Sequence, residues 1–222
     1  MNKTFIAIVI AAIALIVIPW VMKKVSWKKL LKLSENNDYE GYYKELDTLV
    51  CKLSFSAFER ENMRLSGLIT ERKNAAIEDQ FRLMEHMRLR RKQRAALGER
   101  GFYYYLEKGR VKKARDMMEL VKANGSEVAY KNLEIQYSIL LKKESKHIKD
   151  VQEKIDAIWD GKSKIDGDKE IMVGTFEYLL GLQYSYENDI PNMMKHFNVA
   201  LKFCKGTPYE EDMLKIIKNK KK

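Results

Sequence analysis

The stretch TFEYLLGLQYSYENDIPNMMKHFNVALKF, residues 175–203, carries a register of large, small and aromatic residues that sets the reading of the whole chain. Leu180 and Tyr184 stand four apart in its first part, and Ile190, Met193, Phe197, Ala200 and Leu201 follow by threes and fours in its second. Apolar residues at that spacing share one face of an α-helix. The intervening Glu187, Asn188 and Asp189 are polar turn formers, so two amphipathic helices joined by a tight turn are expected. Gly181 removes a side chain where the two helices must come close.

The same pattern recurs toward the N-terminus. Residues 27–33 lead into Asn36, Asn37 and Asp38, after which Tyr42, Leu46, Leu49 and Val50 keep helical spacing, with Asp38 placed to cap them. Residues 56–72 carry Phe58, Met63, Leu65, Leu68 and Ile69, and Asn74 opens a stripe through Ile77, Phe81, Met84 and Met87. Residues 95–106 end before Gly109, and Val111, Ala114, Met118 and Val121 follow. Residues 127–142 turn near Glu144 and Ser145 and continue as Ile148, Val151, Ile155, Ile158 and Trp159. Taking Tyr39, Ile77, Val111, Ile148 and Ile190 as equivalent gives separations of 38, 34, 37 and 42 residues. No run alternates apolar and polar residues over several strands, and Pro is scarce at three, so the fold class expected is all-α. Four or five helix pairs stacked on their neighbours would form an α-solenoid, and an irregular helical bundle satisfies the same stripes.

The 175–203 stretch resembles a tetratricopeptide repeat, whose pattern runs Trp-x2-Leu-Gly-x2-Tyr, then Ala-x3-Phe, then Pro. Leu180, Gly181, Tyr184 and Phe197 match, whereas Glu177, Met193 and Lys205 stand in the Trp, Ala and Pro places. The resemblance implies a TPR-like solenoid whose concave groove is lined by the first helix of each pair. Groove positions carried onto this repeat are Thr175, Tyr178, Leu182, Ser185 and Tyr186, and the same phase in the third pair gives Glu99, Tyr103 and Leu106. Leu180, Gly181, Tyr184, Phe197 and Ala200 are assigned to packing. A protein or peptide partner held in the groove is the function this implies.

Residues 5–22 are 18 residues without a charge. At about 1.5 Å per residue they cross most of a ~30 Å hydrocarbon core, so residues 1–24 read as a single transmembrane anchor and 25–222 as the helical body. Trp20 and Trp27, with Lys23, Lys24, Lys28, Lys29 and Lys32, are suited to the interface beyond the span. A cleaved signal peptide is the competing reading, with Ala12 and Ala14 as a small-x-small site, but cleavage there would expose residues 15–18. Five lysines after the span against Lys3 before it place the C-terminal body in the cytoplasm.

The formal net charge is +11, of which the part after the apolar stretch carries +10. That attracts acidic surfaces of any kind. The densest basic patch is Arg88, Arg90, Arg91, Lys92 and Arg94; on a continuous helix these scatter around the circumference, which points to a solvated joint rather than a site for lipid or nucleic acid. Cys51 and Cys204 are too far apart in sequence to suggest a disulfide framework. Phosphate loops, Gly-x-Ser-x-Gly and His-Glu-x-x-His are absent, the three histidines are isolated, and residues 160–168 put lysines where a calcium loop needs carboxylates. No catalytic residue, metal or cofactor is assigned. The expectation is a membrane-anchored scaffold rather than an enzyme, with a basic domain that holds anionic lipid or nucleic acid at the membrane as the alternative and nucleic acid the less favoured of those two.

Overall fold

A computed structural model describes residues 3–220, with side chains from residue 17 onward. The described residues form twelve α-helices and no strand: α1 (Lys3–Glu35), α2 (Tyr39–Leu46), α3 (Leu49–Ser54), α4 (Ala57–Thr70), α5 (Asn74–Glu85), α6 (Arg91–Glu107), α7 (Val111–Asn124), α8 (Glu127–Gln136), α9 (Ile148–Asp156), α10 (Gly167–Tyr186), α11 (Ile190–Phe203) and α12 (Pro208–Lys220). The all-α expectation holds. The uncharged stretch 5–22 falls within α1, but most of its side chains lie outside the described residues, and so does most of the anchor expected over 1–24. Among the described residues no helix is long and apolar enough to cross a membrane.

Five helix pairs close with one kind of turn. Asn37, Arg72, Gly109, Lys143 and Asn188 all adopt left-handed backbone, with φ of 56°, 58°, 63°, 57° and 58°. In four of these turns the next N–H reaches back five residues: Asp38 to Leu33 O (2.9 Å), Lys73 to Leu68 O (3.1 Å), Arg110 to Tyr105 O (2.8 Å) and Asp189 to Tyr184 O (2.9 Å). That is the helix-ending motif in which a left-handed residue lets the chain satisfy carbonyls the helix leaves open. In the fourth pair α8 runs on into one turn of π-helix, Tyr137–Leu141, so Glu144 N reaches back six residues to Ser138 O (3.1 Å). The turn residues recur at intervals of 35, 37, 34 and 45. Asn74 and the residue after Glu144 are therefore the counterparts of Tyr39, Val111 and Ile190, three residues ahead of the Ile77 and Ile148 chosen from the stripes.

Helix starts follow local chemistry. Asp38 accepts from Gly41 N, Ser56 and Glu59 form a reciprocal capping box, and Ser126, Asp166 and Asp189 each cap the helix they precede. The second helix of the first pair is not continuous as expected. Thr48 accepts from Cys51 N and restarts the chain as α3, which turns Cys51 inward and leaves Leu49 and Val50 outside. The helix after Lys143 stops at Asp156, so Ile158 and Trp159 lie beyond it.

The chain divides into two compact units, Met1–Gln93 and Arg94–Lys222. In unit 1, Leu30 of α1 packs with Tyr42, Leu46, Cys51 and Phe55, and the α4–α5 pair buries Leu65, Leu68, Ile77, Phe81 and Met84. In unit 2 the core runs from Ile135 and Ile139 through Val151 and Ile155 to Leu180, Met193, Phe197 and Met213. Gly181 meets its expectation, because a β-carbon there would overlap the Phe197 ring. Gly98 does the same for α6 and α7: its β-carbon would lie 2.8 Å from Met117 O. Both cysteines are free and buried.

Candidate partner-binding cleft

The groove positions carried over from the repeat pattern do not form an open groove. Tyr178, Leu182 and Ser185 are buried, Thr175, Tyr186 and Leu106 are half-buried, and only Glu99 and Tyr103, the latter at 43 %, are exposed. The reason is α12. Its Tyr209 ring lies 4.8 Å from that of Tyr178, and the Tyr178 hydroxyl donates to Asp212 at 2.5 Å. On the other side Tyr178 stacks on Phe197 at 6.2 Å. Tyr186 donates to Ile139 O at 2.9 Å and so ties α10 to the π-turn, while Ser185 donates to Leu182 O. Burial, reinforced by Asp212, drives the Tyr178 hydroxyl far above the ordinary tyrosine range; burial also pushes Tyr186 up to about 12. These residues hold unit 2 together. Tyr184, assigned to packing, is half-buried and stacked on the His196 ring.

One turn of α10 away, a cleft of about 420 Å³ opens between α6, α8, α9 and α10, entirely within unit 2. Its floor is apolar, with Ile135 and Leu179 buried and Phe176 half-buried, and Met172 stands 47 % exposed at its edge. Polar groups line the rim. Gln136 Nε2 donates to the Tyr103 hydroxyl at 3.2 Å, and Lys154 Nζ donates to Asn132 Oδ1 at 2.6 Å. An apolar floor with a few oriented polar groups is the make-up of a site that grips one or two side chains of a ligand. Tyr103 is the single expected residue that this cleft contains. Phe176 and Met172 were missed because they sit one and three positions away from the groove phase, and nothing in the stripe tells which face α12 will cover.

A second cleft of about 510 Å³ is walled by Glu177 and His196, with Trp159, Asp156 and Lys195 around it. His196 Nδ1 and Glu177 Oε2 are 2.6 Å apart and both side chains are buried. From the sequence His196 is an isolated histidine, a surface or boundary residue by default. The available signal was Glu177 in the Trp place of the repeat pattern, since a carboxylate facing the core requires a polar partner. The pair links α10 to α11, and no Ser, Thr or Cys lines this cleft. Among the described residues no group of three or more His, Cys, Asp or Glu could hold a metal ion.

The basic segment also differs from its expectation. Residues 88–90 are not helical; they bridge α5 and α6, and Arg90 N donates to Gln93 Oε1 at 2.9 Å in the first turn of α6. Arg88, Arg90, Arg91 and Lys92 are exposed and Arg94 is half-buried. Circumferential scatter on a continuous helix therefore does not apply to them. Compared with protein-family models, curated proteins and solved structures, the chain matches none.

Proposed function

We propose that this protein is a membrane-anchored scaffold built on a TPR-like solenoid, which binds an extended or helical segment of a protein partner in the cleft of unit 2. The observation that carries the reading is the cleft itself: its apolar floor is open to solvent between the first helices of successive pairs, α6, α8 and α10. The recurring left-handed turns support a repeat architecture, and the 18 uncharged residues at 5–22 followed by five lysines support a single-pass anchor with a cytoplasmic body. Tyr103, Met172 and Phe176 would take one apolar anchor of the partner, with Gln136 and Lys154 orienting its backbone or an acidic neighbour. Anchoring raises the local concentration of the scaffold along the bilayer.

The test is selection of peptides from a random library by the full chain reconstituted in lipid vesicles. Selected peptides should carry an aromatic or aliphatic anchor. Their affinity should fall at least tenfold, about 1.4 kcal/mol, on Met172→Glu or Tyr103→Glu, remain on Val128→Glu outside the cleft, and change little with salt. Affinity indifferent to Met172→Glu and Tyr103→Glu would remove the cleft from the function.

A further inference from the structure

Three features of unit 1 that are remote in sequence lie at one end of it. The first is the turn of α1 that follows Met22. Lys23 pairs with Glu59 in the first turn of α4 at 2.8 Å, and its ammonium lies 5.2 Å from the centre of the Phe55 ring, which in turn is 6.5 Å from the Trp27 ring. The corner between α3 and α4 is thus level with Lys23 and Trp27. These are the first and fifth residues beyond Met22, so the corner stands roughly 1.5–8 Å past the end of the uncharged stretch, against a headgroup layer roughly 5–8 Å deep on each side of a bilayer.

The second feature is α3. Leu49, Val50 and Leu53 are exposed by 71 %, 44 % and 69 % on a helix of six residues, with Lys52 exposed between them. The third is the basic segment. Helix α5 runs antiparallel to α4, with Gln80 Nε2 donating to Glu61 O at 3.2 Å. Its last turn therefore returns to the level of Glu59, and Arg88, Arg90, Arg91 and Lys92 leave it there. Residues 86–94 contain no acid, and α6 starts on Arg91 with no acid in its first turn.

We propose that this end of unit 1 is a seat for anionic phospholipid. Leu53 and Val50 enter the headgroup layer beside Trp20 and Trp27, and Lys24, Lys28, Arg88, Arg90 and Lys92 lie against lipid phosphates. The proposal rests on the anchor reading of residues 5–22, because that stretch sets the level of the bilayer. An acidic bilayer suits the combination of apolar and basic side chains better than a nucleic acid, which offers nothing to Leu49, Val50 and Leu53.

The test uses the full chain in vesicles of phosphatidylcholine with phosphatidylglycerol as the minority lipid. Cys51 and Cys204 are buried, so a nitroxide can be attached at Leu53→Cys, at Ala75→Cys on the opposite end of the α4–α5 pair, and at Ile8→Cys. Collisions with oxygen relative to those with a water-soluble nickel chelate should be several-fold more frequent at 53 than at 75, and the contrast should shrink several-fold when Arg88→Glu, Arg90→Glu and Lys92→Glu are combined. Equal ratios at 53 and 75 with a deep label at 8 would overturn the seat and spare the anchor. A label at 8 in water with 53 still immersed would remove the anchor and leave the seat. Loss of access to both reagents at 53 would mean that protein covers α3, and release of 53 from lipid by polyuridylate would assign the basic segment to nucleic acid; either result overturns the seat.

Discussion

A phenol hidden under a neighbouring helix behaves differently from one facing a ligand, and Tyr178 and Tyr186 show the difference. The protein favours their neutral form, since burial and the Asp212 carboxylate oppose a second negative charge. Folded pKa values are therefore raised above the unfolded value of about 10. The stability they contribute is fully present below pH about 10 and is lost as pH rises toward about 12, the value for Tyr186. Tyr178→Phe should cost about 1 kcal/mol at neutral pH through the hydrogen bond to Asp212, yet should flatten the fall in stability above pH about 10. Urea titrations at stepped alkaline pH measure both. An unchanged slope would mean that Tyr178 ionises as freely in the fold as outside it. The sequence disclosed these tyrosines as special without disclosing which way they face. Periodicity groups Tyr178, Leu182 and Ser185 on one side of α10, but the cover over that side comes from Tyr209 and Asp212, about 30 residues on and in a helix whose placement no local pattern dictates.

At the scale of helices, the turns were readable and the interruptions were not. Asn37, Asn188 and Gly109 are turn residues by chemistry, whereas Arg72 and Lys143 adopt the same left-handed backbone with no side-chain preference for it. Their turns are found only by the stripes on either side. Thr48 was hidden in a continuous apolar spacing, although its hydroxyl competes for the backbone and rotates α3 so that Leu49, Val50 and Leu53 face out. Gly181 shows the opposite case, in which a single missing side chain fixes how two helices meet. Gly181→Ala should destabilise unit 2 by about 1–3 kcal/mol, because the added methyl must displace the Phe197 ring in a filled core. Gly167→Ala, where a β-carbon meets nothing within 4 Å, should change stability little. Chemical denaturation of the two variants is the measurement, and equal behaviour would show that α10 and α11 have room to separate.

Across the whole molecule, charge is more informative than fold. The five lysines that follow residue 22 outweigh Lys3, and on the anchor reading they hold the body on the cytoplasmic side. Protease added to intact cells should then leave the body uncut, and permeabilised cells should lose it. Digestion from outside would reverse the orientation. The division into two units falls at Gln93–Arg94, within the basic segment read as a solvated joint, yet inside α6 and with no Pro or Gly to mark a linker, so the sequence marks a joint there without marking a boundary between units.

The recurring turn also determines where this chain can change length. Each pair is closed at its tip by hydrogen bonds that count residues, so a codon added or lost at Asn37, Gly109 or Asn188 would break the count. The links between pairs keep no such count, and the widest interval between turns, 45 residues, contains the irregular segment 157–166. Insertions and deletions drifting through a lineage of such chains should accumulate in those links, so that descendants come to differ in the spacing of their pairs while each pair stays the same size.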